Sequence, residues 1–321
     1  MTGLWQTLVV AVLVLETLAI GAQSPDVAKV LADVRAALGG STLASVKTLV
    51  VEGTRARLTA DGPAETSAFQ MAMELPSRFA RRDVVGNVNG TDITRTSGFN
   101  GTDVIERADM PPGMSGGGRS MMVVRMGPGG IVGGEASPEQ RAALQASALT
   151  AARRDFARLA LGLFGSSPEV YPLEFAYAGT AESPDATAHV LAVTGTDGFE
   201  AKLYVHSTTH LPLMITWMDR EPLMVTAGGP GRGGGQMTTR GGSPEDMQRM
   251  RADMEQRMRE AEANRRTVEY RLFYADYKTI DGVNVPTRFQ RMIDGLPVDE
   301  LRFDKVIVNG PVDAKMFEIA R

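Results

Sequence analysis

The sequence predicts an α+β fold, a large curled antiparallel sheet of about a dozen strands with helices covering its apolar face. Three observations carry this. Long runs alternate apolar and polar residues with the period of two that sends successive strand side chains to opposite faces. Asx-Gly pairs separate those runs at Asp61-Gly62, Asn89-Gly90, Asn100-Gly101, Asp197-Gly198, Asp281-Gly282 and Asp294-Gly295, and such pairs supply the positive φ angles of tight antiparallel hairpins. Three triplets, Ser24-Pro25-Asp26, Ser137-Pro138-Glu139 and Ser243-Pro244-Glu245, each join an N-cap hydroxyl, a proline at the first helical position and an acid facing the helix dipole.

Taken in chain order, residues 1–22 read as an export signal. Leu8 to Leu15 is apolar, and Ile20-Gly21-Ala22 places small residues before a cut at Ala22/Gln23. No Lys or Arg precedes Lys29, which leaves the n-region with only its α-amine. Retention of residues 4–22 as an anchor is the rival reading, opposed by Glu16 inside that stretch. Both readings place the body, residues 23–321, outside the cytoplasm, in the periplasm or its equivalent. The first helix presents Val27, Val30, Leu31, Val34 and Leu38 on one face and stops at Gly39-Gly40. Strand patterns follow, of which Phe69/Met71/Met73/Leu75 is the clearest. The second helix runs from Ser137 to about Phe164 with Leu149, Ala152, Phe156, Leu159 and Leu163 as its stripe. Beyond it alternate Leu173/Phe175/Tyr177, Phe199/Ala201/Leu203/Val205, Leu213/Ile215/Trp217 and Val268/Tyr270/Leu272/Tyr274. Ser183-Pro184-Asp185 precedes a strand pattern and reads as a turn. A third helix after Ser243 carries Met247, Met250, Met254 and Met258 on one side.

Two segments interrupt this single domain. Residues 107–136 hold 9 glycines and 5 methionines, and residues 226–242 hold 8 glycines. Such composition offers little apolar surface to offset ordering entropy, so both are expected to be mobile insertions. Their motif matches are refused. Gly113-Met114-Ser115-Gly116-Gly117 fits G-x-S-x-G, and Gly229, Gly231 and Gly234 fit G-x-G-x-x-G. Neither has the flanking strand and helix that make such a loop functional.

Composition excludes several chemistries. With 34 Lys+Arg against 38 Asp+Glu the net charge is −4, which argues against a nucleic-acid binder. Absence of cysteine removes disulfides, thiolate metal sites and a cysteine nucleophile. His206 and His210 lie on a strand and its turn with His189 distant in sequence, so no zinc set is expected. The methionine stripe suits either an adaptable packing surface or a soft Cu(I) site, and packing is the expectation. No catalytic set, cofactor or metal is expected.

Short motifs add a resemblance. Ala37-Leu38-Gly39-Gly40 followed by Val46-Lys47-Thr48-Leu49, then Thr209-His210-Leu211-Pro212, resembles the LolA/LolB-like periplasmic lipoprotein carriers. So does the ending: Asp276-Tyr277, Ile280-Asp281-Gly282-Val283, Val285-Pro286, Asp294-Gly295, Val308-Asn309 and Met316-Phe317. The resemblance implies an unclosed half-barrel whose concave side is plugged by helices, with an apolar cavity that takes acyl chains. The expected function is an exported, non-enzymatic binding protein holding a lipid, an acyl chain or an acylated protein. Phe69, Met71, Met73, Phe175, Tyr177, Leu203, Trp217, Tyr270 and Leu272 would line the cavity from the sheet, and Phe156, Leu159 and Leu163 from the helix. Membrane contact would be transient unless residues 4–22 stay as an anchor. The alternative is an envelope scaffold with a filled core that uses its insertions to contact a protein partner.

Overall fold

The computed structural model describes residues 26–59, 62–109, 137–184, 186–222, 252, 256–257 and 259–319. Five strands come first: β1 (Thr48–Thr59), β2 (Gly62–Glu74), β3 (Arg78–Val88), β4 (Thr91–Asn100) and β5 (Asp103–Asp109). Seven more follow: β6 (Leu173–Glu182), β7 (Thr187–Gly195), β8 (Phe199–His206), β9 (Pro212–Arg220), β10 (Thr267–Ile280), β11 (Val283–Ile293) and β12 (Leu296–Val308). All twelve form one sheet in the order β5-β4-β3-β2-β1-β12-β11-β10-β9-β8-β7-β6. Every neighbouring pair is antiparallel. Two meanders therefore meet through the first and last strands, and among the described residues β5 and β6 are the edges. The expected unclosed antiparallel sheet with few helices is the observed one.

The helices packed on the sheet include α1 (Val27–Leu38), the short α2 (Ser41–Ala44) and α3 (Pro138–Phe164). A meander that has run to the β5 edge needs a long element to restart at β6. The 27 residues of α3 supply it, spanning about 40 Å at 1.5 Å per residue. Ser137 and Gln140 form a reciprocal capping box at its start, as the Ser-Pro-acid signal predicts. At α1 the same signal misplaces the cap: Asp26, not Ser24, accepts the N–H of Ala28 at 2.9 Å. A carboxylate two residues on reaches the orphan donor equally well.

Turn chemistry explains the register. Asn89/Gly90, Asp197/Gly198, Asp281/Gly282 and Asp294/Gly295 all have positive φ at both positions, the backbone of the hairpin turn whose twist matches its strands. Asp61 lies outside the described residues, and at Asn100-Gly101 only the glycine has positive φ.

Three expectations are corrected. The first insertion does not begin at 107, because Arg107 and Asp109 belong to β5 and pair with Thr96 and Thr94; backbone pairing extends past the point where composition changes. Leu213 does not share the face of Ile215 and Trp217. The ladder shifts between Tyr204 and Val205, whose partners are Met214 and Pro212, so Leu213 is the bulged residue and packs on the opposite face. The strand face opposite Phe199, Ala201, Leu203 and Val205, which the alternation makes the polar one, instead buries Tyr204, 5% exposed with Val190 and Met214. Residues 110–136 and 226–242, the export signal, and Met247, Met250, Met254 and Met258 lie outside the described residues; 256–257 and 259–263 are helical.

The main core fills the space between the concave face and the helices. Val34 and Leu38 of α1 meet Phe156, Leu161 and Leu163 of α3 and the inward residues of most strands. Phe156 sits between Phe79 and Phe99, its ring 5.1 and 5.5 Å from theirs. Among the positions where close approach requires glycine, Gly162 and Gly39 fix how the helices dock. A Cβ on Gly162 would lie 2.3 Å from the Tyr274 ring, and one on Gly39 2.7 Å from the Gly282 carbonyl. A smaller cluster on the convex side joins Ala72, Ala80 and Ile105 to Met316 and Phe317 of a 3-10 turn, Ala314–Phe317.

Candidate functional site

The twelve residues expected to line a cavity do converge on one face, but most of them fill it. Phe69, Met71, Met73, Phe156, Leu159, Leu163, Leu203, Trp217 and Tyr270 are at most 8% exposed and belong to the continuous core. Phe175, Tyr177 and Leu272 are half-buried against it. Phe175 and Tyr177 sit on β6, which among the described residues is an edge strand with one neighbour.

Among the described residues, hollows open beside this core, and two are large enough to hold a ligand. The first, of ≈ 430 Å³, lies where α1 and α2 meet the start of β1, the β2–β3 turn and the end of α3. Leu43, Val46, Leu75, Phe156, Ala160 and Phe164 form apolar walls, while Arg35, Lys47 and Glu169 stand around them. Of the twelve expected residues, Phe156 alone lines this hollow. The β2–β3 turn is anchored by the Leu75 N–H donating to the Lys47 carbonyl at 2.8 Å. Asn284 Nδ2 donates to the Ala37 carbonyl at 2.7 Å and docks the end of α1 on β11.

The second hollow, of ≈ 790 Å³, opens between β8 and β9. Here the ladder ends at Lys202↔Thr216, yet β8 continues back to Phe199 and β9 on to Arg220. On their outer sides both strands stay paired, Phe199 with Gly195 and Arg220 with Thr267. Arg154 and Arg158 of α3 reach into the gap. Arg154 donates from Nε to the Tyr171 hydroxyl at 3.3 Å and also to the Asp197 carbonyl. The Arg158 guanidinium lies 4.2 Å from the Trp217 ring centroid and 5.6 Å from that of Phe199. Arg158 Nε and Trp217 Nε1 are both buried and donate to nothing. A buried donor left without an acceptor costs about 1–3 kcal/mol. Sequence reasoning named Trp217 but passed over Arg158. Two arginines four apart beside an apolar helical stripe were the available signal.

Polar groups also gather in two places the alternation pattern did not flag. On the concave face beyond the helices, Asp299 is 7% exposed and accepts from Arg55 at 3.3 Å and from Arg291. Nearby, Arg81 covers the Phe69 ring at 5.1 Å and pairs with Asp83. At the other end the Tyr177 hydroxyl hydrogen-bonds His189 Nδ1 at 3.2 Å. Burial pushes the His189 pKa down, His210 adds to that, and Asp33 opposes it. The sequence placed His189 far from His210; the fold makes them electrostatic neighbours. His206 is used locally, its Nδ1 accepting the N–H groups of Thr208 and Thr209 at 3.0 and 3.2 Å. Among the described residues no group of three His, Asp or Glu side chains is placed to hold a metal ion.

No family model matches the sequence, and no curated protein does. Solved structures do resemble the chain. It is similar to a LolA superfamily protein, NE2245, from Nitrosomonas europaea, at 11% identity and a TM-score of 0.45, over 92% of this chain and 98% of that one. A DUF1329 family protein from Desulfovibrio piger is similar at 10% identity and a TM-score of 0.40, over 92% and 98% of the two chains. The chain is also similar to an outer membrane lipoprotein-sorting protein domain from Vibrio parahaemolyticus, at 11% identity and a TM-score of 0.44, over 89% of this chain and 94% of that one.

Proposed function

We propose that this is an exported, non-enzymatic binding protein that takes the apolar chain of a lipid or acylated protein into the hollow beneath α1, α2 and α3. One observation carries the reading: the ≈ 430 Å³ space is walled by Leu43, Val46, Leu75, Phe156, Ala160 and Phe164 and bordered by Arg35 and Lys47. Apolar walls reward an acyl chain at about 0.8 kcal/mol per buried CH₂. Two cations at the border suit an anionic head group. In this reading Phe156 is the residue that both completes the core and touches ligand.

A test follows from Ala160, which is 1% exposed and lines the hollow. Ala160→Phe places a ring in the ligand's space. The expected result is a folded protein whose stability changes by less than about 1 kcal/mol, because the ring has room. Its affinity for a fluorescent fatty acid should fall at least tenfold, by about 1.4 kcal/mol or more. Absence of probe binding by the unaltered protein would overturn the reading. The second reading, a filled scaffold that meets an envelope protein, is favoured by the near-complete burial of nine of the twelve expected residues. It requires that Ala160→Phe be destabilising and that no probe bind.

A further inference from the structure

Three ladders of the sheet stop three or more residues before both of their strands do. β2–β3 pairing ends at Phe69↔Asp83, β11–β12 at Arg288↔Arg302, and β8–β9 at Lys202↔Thr216. The β8–β9 seam is the one of these that opens into a described cavity, the ≈ 790 Å³ cleft. Its walls are Phe199–Lys202 on one side and Thr216–Asp219 on the other. Phe199–Ala201 and Trp217–Asp219 therefore face each other without ladder bonds. At a rise near 3.3 Å per residue each wall offers about 10 Å of open strand edge.

What belongs there follows from the groups left unpaired. A strand edge presents both N–H donors and C=O acceptors, at fixed alternation. A lipid chain answers neither, and a simple anion answers only the donors. Another polypeptide backbone answers both, which is the basis of recognition by strand addition. The walls carry both signs, Glu200, Asp219 and Glu269 beside Lys202 and Arg271, and the floor adds a preference for an acceptor. Of the buried nitrogens without a partner among the described residues, Arg158 Nε and Trp217 Nε1 are those whose residues line this cleft, and neither arginine nor the indole N–H has any accepting capacity. Trp217 is 92% buried by its 8% exposure, so its unpaired donor is a deep feature rather than a surface one. Arg158 is held by stacking on Trp217 and by Asp155 at 2.8 Å, whose own side chain is 74% exposed. Arg158 already lines the cleft, so an acceptor seated there would meet its guanidinium. A carboxylate is the acceptor that an arginine binds best. At the rim, Met218 is 61% exposed and offers an adaptable apolar contact.

We propose that the cleft between β8 and β9 receives an extended acidic peptide segment, which pairs with the open strand edges and sets a carboxylate against Arg158 and Trp217. This site is separate from the acyl hollow and does not depend on it.

Trp217 reports on the proposal directly. The chain has two tryptophans, Trp5 and Trp217, so Trp5→Phe in the full chain leaves Trp217 as the only one. This protein is titrated with acetyl-Thr-Val-Glu-Val-Thr-amide, with the same peptide carrying Gln for Glu, and with the Glu peptide N-methylated at both valines. The expected result is a saturable shift of Trp217 emission with the Glu peptide, and at least about tenfold weaker binding of the Gln peptide. The N-methylated peptide should not bind, since it lacks the ladder donors. Arg158→Gln should erase the difference between Glu and Gln peptides. Should that variant fail to fold, the N-methylated peptide still decides. Equal binding of the N-methylated peptide, no shift with any peptide, or displacement of the Glu peptide by palmitate or millimolar acetate would each overturn the proposal. Ala160→Phe should leave the peptide titration unchanged, which keeps this test independent of the acyl reading.

Discussion

His189 illustrates how a single residue reports on the packing around it. Its ring bonds Tyr177, and burial together with His210 holds its pKa below the ordinary value while Asp33 pulls the other way. In the unfolded chain the same imidazole takes a proton near pH 6.5. Between the two pKa values the unfolded state binds more protons, so folding stability falls as pH drops through and below about 6.5. Asp33 acts in a different window. Its carboxylate accepts from Lys29 at 2.7 Å and is held below its ordinary value chiefly by that bond. The stability it adds is present at neutral pH and lost only as pH falls below about 4. Urea unfolding between about pH 7.5 and 5.5 should therefore show declining stability in the unaltered protein and a flatter profile in His189→Gln. An unchanged slope in the variant would assign the decline to another group.

At the scale of elements, the 3-10 turn Ala314–Phe317 does more than end the chain. It seals the convex side of β2–β5, where Met316 and Phe317 are each 4% exposed. Asn100 Nδ2 donates to the Phe317 carbonyl at 3.1 Å, and Arg107 Nη1 to the Lys315 carbonyl at 3.2 Å. Asp313 caps the turn through the Lys315 N–H at 3.0 Å. Phe317→Ala should cost about 3–5 kcal/mol, the range for emptying a buried aromatic site. Calorimetric or denaturant unfolding measures this, and a loss under about 1 kcal/mol would mean the turn rests on the sheet without stabilising it. The pair Met316-Phe317 was readable as a motif near the end of the chain. Its position on the outer face was not, because a 3-10 turn has no period from which a face can be inferred.

The whole molecule is an open sheet with its two halves joined at the centre. β1 pairs with β12 across more than two hundred residues of chain, from Leu49↔Val308 to Arg57↔Asp299, while among the described residues β5 and β6 each have one neighbour. Central strands are paired on both sides and covered by α1 and α3, and edge strands expose half of their amides. Hydrogen exchange should thus be slowest in β1, β12, β11 and β10 and fastest in β5 and β6. Protection of the β6 edge equal to that of β1 would show that another chain pairs with it.

Much of this architecture was legible beforehand, and the reasons are local. Alternation by two, Asx-Gly turns and the Ser-Pro-acid cap of α3 act between residues a few positions apart, so the strands, their antiparallel sense and the span Pro138–Phe164 could be read directly. The inward face of the sheet was legible for the same reason. Whether that face encloses space was not. Periodicity says which side chains point inward, but filling depends on how closely α3 approaches, and that is set by Gly162 against Tyr274 and by Phe156 between Phe79 and Phe99. The bulge that turns Leu213 outward and the seam between β8 and β9 arise from register between strands, which no single strand's pattern encodes. The chain by itself determined the elements and the side of the sheet to be buried. Only the tertiary structure decided where space remains and which donors are left unpaired beside it, because these depend on distances between segments that are remote in sequence.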